Sequence, residues 1–242
     1  MPVSRRVHRA PHQVVRYAPV LRRARRLAPG ARVLEVGSGV EGIGTWLRRR
    51  FVGVDLAFSG ATLAHLDAVR ADATRLPFPD RAFDLVACVD VLQDLPHELV
   101  PAVCDEMARV ARGAVVVVTP SGVEAERSDR NMLDWCGMHR IDPPQWLRDH
   151  VHHGLPSPDA VGRALLRHGR VVRADNTSVE WHERLFRAEH VLRSWHAMTV
   201  LQPVLRAWGR TIPFELPGRP PAYRFSFTLE THATSSPPRR AP

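Results

Sequence analysis

The sequence predicts an α/β fold, a doubly wound and mostly parallel sheet with helices on both faces. Three observations carry that expectation. Short apolar runs alternate with segments of helical spacing along most of the 242 residues. The first run, VLEVGSGVEGIG at residues 33 to 44, carries an acid near its end and breaks into glycines. The last, Tyr223 to Glu230, alternates between apolar and polar residues as a half-buried strand does.

The elements follow in order. Residues 1–29 are basic and read as a helical segment, with Val14, Val15, Tyr17, Val20, Leu21 and Leu27 on one face and arginines on the other. Val33, Leu34 and Val36 read as a buried parallel strand. Gly37 and Gly39 permit a sharp turn with close backbone approach, and Gly42 is expected to open a helix whose free N–H groups face a ligand. RRFVGVDLA supplies a second strand ending at Asp55, Asp72 and Ala73 close a third short segment, and Phe83 to Val89 form a fourth strand. Residues 97 to 111 place Leu99, Val103, Met107 and Val110 on one helical face, and AVVVVTP after Gly113 is a fifth buried strand. Residues 121–168 read as a polar, tryptophan-bearing helical insertion, followed by a sixth strand near Arg170 to Ala174. Residues 181 to 209 read as a long helix within a second insertion, 181–215. The tail THATSSPPRRAP, residues 231–242, has the composition of disordered chain.

The glycine spacing leaves two ligand classes open. Gly37, Gly39 and Gly42 also satisfy the dinucleotide fingerprint G-x-G-x-x-G, and Asp55 stands where a ribose-binding acid would follow. Glu35 distinguishes them, because a carboxylate there attracts an ammonium and repels a pyrophosphate. Asp55 ends its strand with two oxygens able to accept both ribose hydroxyls.

Beyond Asp55, the stretch RADATRLPFPDRAFDLVACVDVLQDLP resembles the class I S-adenosylmethionine-dependent methyltransferases, in particular the small-molecule branch typified by the ubiquinone and menaquinone biosynthesis enzymes. The resemblance covers residues 30 to 120. It implies a Rossmann-like, seven-stranded sheet with an antiparallel last strand, and a methyltransferase domain over residues 30–230. It also implies S-adenosyl-L-methionine as cofactor and a small-molecule acceptor methylated on oxygen or nitrogen, such as a secondary metabolite or a sugar-linked compound. Glu35, Gly37, Ser38, Gly39 and Gly42 then surround the methionine part, Asp55 takes the ribose and Leu56 packs on the adenine. Asp72 and the Ala73 backbone N–H meet the adenine edge, the Cys88 carbonyl meets the ammonium, and Asp90 and Val91 line the methyl-transfer side. Such an N-terminal helix often covers the cofactor, which makes Tyr17 a lid residue.

Two positions depart from the family pattern. The usual third glycine falls at Glu41, and a stretch that often holds a histidine reads Leu92-Gln93-Asp94-Leu95. Asp94 is therefore a candidate base or a helix N-cap, the cap being favoured by the Leu-Pro and helical run that follow. Asp90 and His97 are further candidate proton acceptors for a hydroxyl substrate, whereas a carboxylate or amine acceptor needs none.

The remaining features are read as structural. Cys88, Cys104 and Cys136 are odd in number and widely spaced, which suits neither a disulfide framework nor a zinc site. Asp142-Pro143-Pro144 reads as a turn and helix start, His150, His152 and His153 as a solvated helix end, and the tryptophans at 135, 146, 181, 195 and 208 as core. No metal site is expected. The net charge of +9 would raise nucleic acid as a partner, but all 34 basic residues are arginine, which points to codon bias rather than a binding face. No apolar run approaches the ~20 residues of a membrane span, and the N-terminus lacks a secretory pattern, so a cytoplasmic enzyme is expected. The alternatives are a nicotinamide-dependent oxidoreductase, a non-catalytic methyltransferase-like binding protein and an RNA methyltransferase.

Overall fold

The computed structural model describes residues 11–47, 49–193 and 220–231. The strands are β1 (Val33–Val36), β2 (Phe51–Asp55), β3 (Leu66–Arg70), β4 (Phe83–Val89), β5 (Ala111–Pro120), β6 (Gly169–Ser178) and β7 (Ala222–Thr231). They form one sheet in the order β3-β2-β1-β4-β5-β7-β6. β1 to β5 pair in parallel, and β7 runs antiparallel between β5 and β6, as the resemblance implies. Chain order reverses between β1 and β4, which opens a crevice at the carboxyl ends of those strands.

Alternation along the strands sends side chains to two cores. Leu34, Val36, Val86, Cys88, Val115 and Val117 face α2 (Val100–Val110) and α5 (Pro158–Leu166) through Val103, Met107, Val161 and Leu165. Val33, Leu85, Ala87, Val116 and Val118 face the opposite way, where α1 (Pro11–Ala24) covers them with Tyr17, Val20, Leu21 and Ala24. Each such buried Val or Leu contributes about 1.5–3 kcal/mol relative to exposure. Helices α3 (Val123–Met138), α4 (Gln145–His153) and α6 (Val179–Arg193) share a smaller core of Met132, Cys136, Leu147 and Phe186, against which Trp135 and Trp146 pack. All three cysteines are buried and free.

Pro19 lies inside α1, where it cannot donate to the Val15 carbonyl one turn back. That carbonyl instead accepts from Nδ2 of Asn176 on the edge strand β6, at 3.1 Å. The gap left by proline thus fastens the helix to the sheet.

Three expectations are corrected. After β1 the chain forms only a 3₁₀ turn, Gly42–Thr45, rather than a helix, because residues 37–50 must also return the chain to β2. The sixth strand extends to Ser178; as an edge strand it is largely exposed from Arg170 to Asp175, so its sequence lacks the apolar run that marks the inner strands. The long helix begins earlier, at Val179, and is described to Arg193. Its continuation with Trp195 and Trp208, the first ten residues and the tail beyond Thr231 lie outside the described residues. Among the described residues no helix is long and apolar enough to cross a membrane.

Candidate active site

The loop after β1 is folded onto the end of β2. Gly37 and Ser38 donate their backbone N–H groups to the Val54 carbonyl at 2.7 and 3.2 Å, and Gly39 N–H donates to Asp55 Oδ2 at 2.9 Å. Gly37 has φ +73°, and a methyl group on its Cα would sit 2.1 Å from Val91 Cγ2. Gly39, also left-handed at φ +54°, faces open space in which an added methyl would meet nothing within 4 Å. The first glycine therefore lets the β1 and β4 loops touch, and the second leaves the crevice clear.

Glu35 is placed beneath this loop rather than within it. Alternation in β1 turns its side chain toward α1, where it is fully buried. Tyr17 Oη donates to Oε1 at 2.8 Å and the Ile43 N–H donates to Oε2 at 2.5 Å. Burial pushes its carboxyl up to about 7, against the pull of those two hydrogen bonds and of Arg16. This corrects two expectations. The carboxylate braces the loop from inside instead of meeting an ammonium, and the Ile43 N–H expected to face a ligand is already spent on it. Gly42 is required here, since a side chain on it would strike Glu35 Oε2 at 2.1 Å. Tyr17 is correspondingly a buried support, its ring 4.5 Å from that of Trp46.

The next strand ends carry Asp55, Leu56, Asp72 and Ala73. Asp55 accepts from Gly39 N–H on one oxygen and, at 3.4 Å, from Ala57 N–H on the other, which leaves lone pairs for further donors. Leu56 is 62% exposed, an apolar surface at the lip of the crevice. Asp72 accepts through Oδ1 from both the Thr74 N–H and Oγ1 at 2.8 Å, which hold its carboxyl below the ordinary range. Ala73 follows on the same turn, and Cys88 lies fully buried in β4 beside Val36. An open glycine loop, an acid at the end of β2, an exposed leucine after it and an acid after β3 fit a nucleoside carried on an apolar shelf. The donor set therefore fits S-adenosylmethionine.

Across the crevice, the end of β4 departs from expectation. Asp90, at φ +52°, accepts from Arg16 Nη1 at 2.8 Å and from Arg224 Nε and Nη2 at 2.9 and 3.1 Å. Burial pushes its carboxyl up, but Arg224 and then Arg16 outweigh that and hold it at about 2. Asp90 is thus no proton acceptor near neutrality. Asp94 does not cap a helix: it ends the 3₁₀ turn Leu92–Asp94, and neither the turn at His97–Leu99 nor α2 has a side-chain cap. Its carboxyl is raised, by burial first. His97 lies exposed on the following turn.

Sequence reasoning missed one residue here. His152 and His153 are exposed as expected, but His150 is buried. Its Nδ1 lies 3.0 Å from Asp129 Oδ2 of α3, and its Nε2 lies 3.8 Å from Asp94 Oδ1. Asp129 is fully buried and also accepts from Tyr223 Oη at 2.9 Å. The signal was spacing. Leu147 and His150 share the inner face of α4, and Asp129 interrupts the buried α3 stripe of Ala125, Met132 and Cys136.

Comparison with known proteins agrees with this geometry. Residues 34–118 match the family described as "Methyltransferase domain". The chain is 39% identical over 80 residues to phthiotriol/phenolphthiotriol dimycocerosates methyltransferase 1 of Mycobacterium ulcerans, covering 28% of this chain and 30% of that protein. It is 38% identical over 131 residues to fatty-acid O-methyltransferase of Mycolicibacterium smegmatis, covering 49% and 42%. The matches therefore span less than half the length of either relative. A putative sarcosine dimethylglycine methyltransferase from Galdieria sulphuraria shares the fold with a TM-score of 0.54 at 15% identity, over 90% of this chain and 85% of that one.

Proposed function

We propose that the chain is a class I S-adenosylmethionine-dependent methyltransferase that methylates an oxygen of a small, lipid-like acceptor. The observation that carries the reading is the convergence of Gly37, Gly39, Asp55, Leu56 and Asp72 at the carboxyl edge of β1 to β3, within the matched domain. Oxygen and a lipid-like body are suggested by the relatives' names, a fatty-acid O-methyltransferase and a phthiotriol/phenolphthiotriol dimycocerosates methyltransferase. We take residues 30–230 as the catalytic unit with α1 closing it.

Asp55 would hold the ribose, Leu56 the adenine face, and Asp72 with the Ala73 N–H the adenine edge. Gly39 and Ser38 would flank the methionine part, with the Cys88 carbonyl near its ammonium. When bound, the sulfonium supplies an electrophilic methyl group. The protein's share is then alignment of the acceptor oxygen and exclusion of water, so that most of the acceleration comes from proximity. The open space in front of Gly39, above the contact of Gly37 with Val91, is where that alignment would occur.

Calorimetric titration with S-adenosylmethionine and S-adenosylhomocysteine tests this reading. Micromolar binding is expected, weakened ~10- to 100-fold by Asp55→Ala, as befits loss of a charge-assisted hydrogen bond of about 1.5–3 kcal/mol. Asp72→Ala should weaken it in the same direction. Absence of binding to the parent protein would overturn the reading.

A further inference from the structure

His150 occupies a setting that a helix-end histidine does not need. Asp129, fully buried, accepts from Tyr223 Oη at 2.9 Å on one oxygen and faces His150 Nδ1 at 3.0 Å with the other. A carboxylate is acceptor-only, so Nδ1 must carry a proton, and whenever the ring is neutral its lone pair is then at Nε2. Nε2 lies on the side of Asp94, at 3.8 Å. Asp94 closes the short turn that begins at Val91, the residue packed against the glycine loop at Gly37. One turn of chain therefore runs from the loop expected to hold the methyl donor to the basic nitrogen of His150.

We propose that His150 is the catalytic base that deprotonates a hydroxyl acceptor, with Asp129 as its positioning residue and Asp94 as the exit for the proton. The inference rests on the proposed methyl transfer and narrows its acceptor to an alcohol or phenol, because a carboxylate needs no base. As the acceptor oxygen forms its bond to the methyl carbon, the carbon–sulfur bond breaks and the sulfonium becomes a neutral thioether. The hydroxyl proton passes to Nε2. The resulting imidazolium lies between the carboxylates of Asp129 and Asp94, and the Asp94 side chain, 56% exposed, can return the proton to water. Asp149, next to His150 on α4, and Asp90 act electrostatically on Asp94, while Tyr223 on β7 donates to Asp129 and carries the stacked ring of His182 from α6 at 3.4 Å. Trp146 closes the ring's flank at 5.2 Å.

The first test needs no acceptor. Imidazole ¹⁵N spectra of the full chain should show neutral His150 as the Nδ1–H tautomer in the parent, and the Nε2–H tautomer in Asp129→Asn. An Nε2–H tautomer in the parent would overturn the proposal. The second uses a 4-alkylphenol and a saturated long-chain fatty acid as probes. His150→Gln should lower kcat on the phenol by ~10²- to 10⁴-fold and leave S-adenosylmethionine affinity unchanged. Parental turnover of the phenol by His150→Gln, or methylation by the parent of the fatty acid alone, would overturn it. A parent that methylates neither probe is judged on the tautomer. A parent that binds no S-adenosylmethionine overturns the proposed function instead, which separates the two failures.

Discussion

Replacing Glu35 with glutamine should stabilise the protein at pH 8 and leave it nearly unchanged at pH 4.5. The carboxyl is raised from 4.5 in the unfolded reference to about 7 in the fold. An acid whose folded pKa lies above its unfolded value binds more protons folded than unfolded between those two pH values. Stability therefore falls as pH rises through that window, and the loss is complete above about 7. At 1.36 kcal/mol per unit, the gap corresponds to about 3 kcal/mol. Glu35→Gln removes the titration without removing the bonds: the amide oxygen can accept from the Ile43 N–H while the amide NH₂ donates to Tyr17 Oη. Urea unfolding of parent and variant at half-unit steps from pH 4.5 to 8 should show a stability difference growing in the variant's favour by about 3 kcal/mol. For a chain of this size that is a Tm difference widening by about 6–12 °C. Titrations common to both proteins cancel in the difference. A difference that stays flat across the window, or that grows in the parent's favour, would refute the placement of Glu35 as a desolvated internal brace.

Gly37→Ala should destabilise the protein and weaken S-adenosylmethionine, because the new methyl lies 2.1 Å from Val91 Cγ2. Adding Val91→Ala removes the clash and should leave about 1–2 kcal/mol of left-handed backbone strain in urea unfolding, so full recovery or none would both contradict the geometry. Asp90→Asn keeps a residue that tolerates positive φ while removing the charge shared by Arg16 and Arg224, and should cost about 3–5 kcal/mol at pH 7. The Asp90 pKa is depressed from 3.8 to about 2. Its contribution is therefore present above 3.8 and is lost as pH falls toward 2, by about 2 kcal/mol, so the variant's deficit in urea unfolding should shrink over that window.

What the sequence made legible was contiguous. Gly37, Gly39, Asp55 and Asp72 each stand where an apolar run ends, and a parallel sheet brings the carboxyl ends of its strands to one edge. Once the runs were recognised as strands, the shared edge followed. The partners were not legible in the same way. Glu35 takes its hydroxyl donor from Tyr17, and Asp90 takes one guanidinium from α1 and one from β7. These pairings depend on which face each helix presents to the sheet, which no local pattern encodes. Asp129 and His150 lie between these cases. Each occupies the apolar stripe of its own helix, so each could be read as buried, but their meeting depends on how α3 packs on α4.

Two arginines of α1 serve the fold itself. Counted as charge, α1 suggests a surface for anions. In the fold, Arg16 holds Asp90 at the end of β4 and Arg23 holds Glu230 of β7 at 2.7 Å, while the apolar stripe between them lies on the sheet. Tyr17, next to Arg16, reaches the other way to Glu35 beneath the glycine loop. Two adjacent residues of one helix therefore fix the loop after β1 and the loop after β4, the two walls of the crevice. A shift of α1 would move both walls together, so the N-terminal helix is mechanically coupled to the crevice.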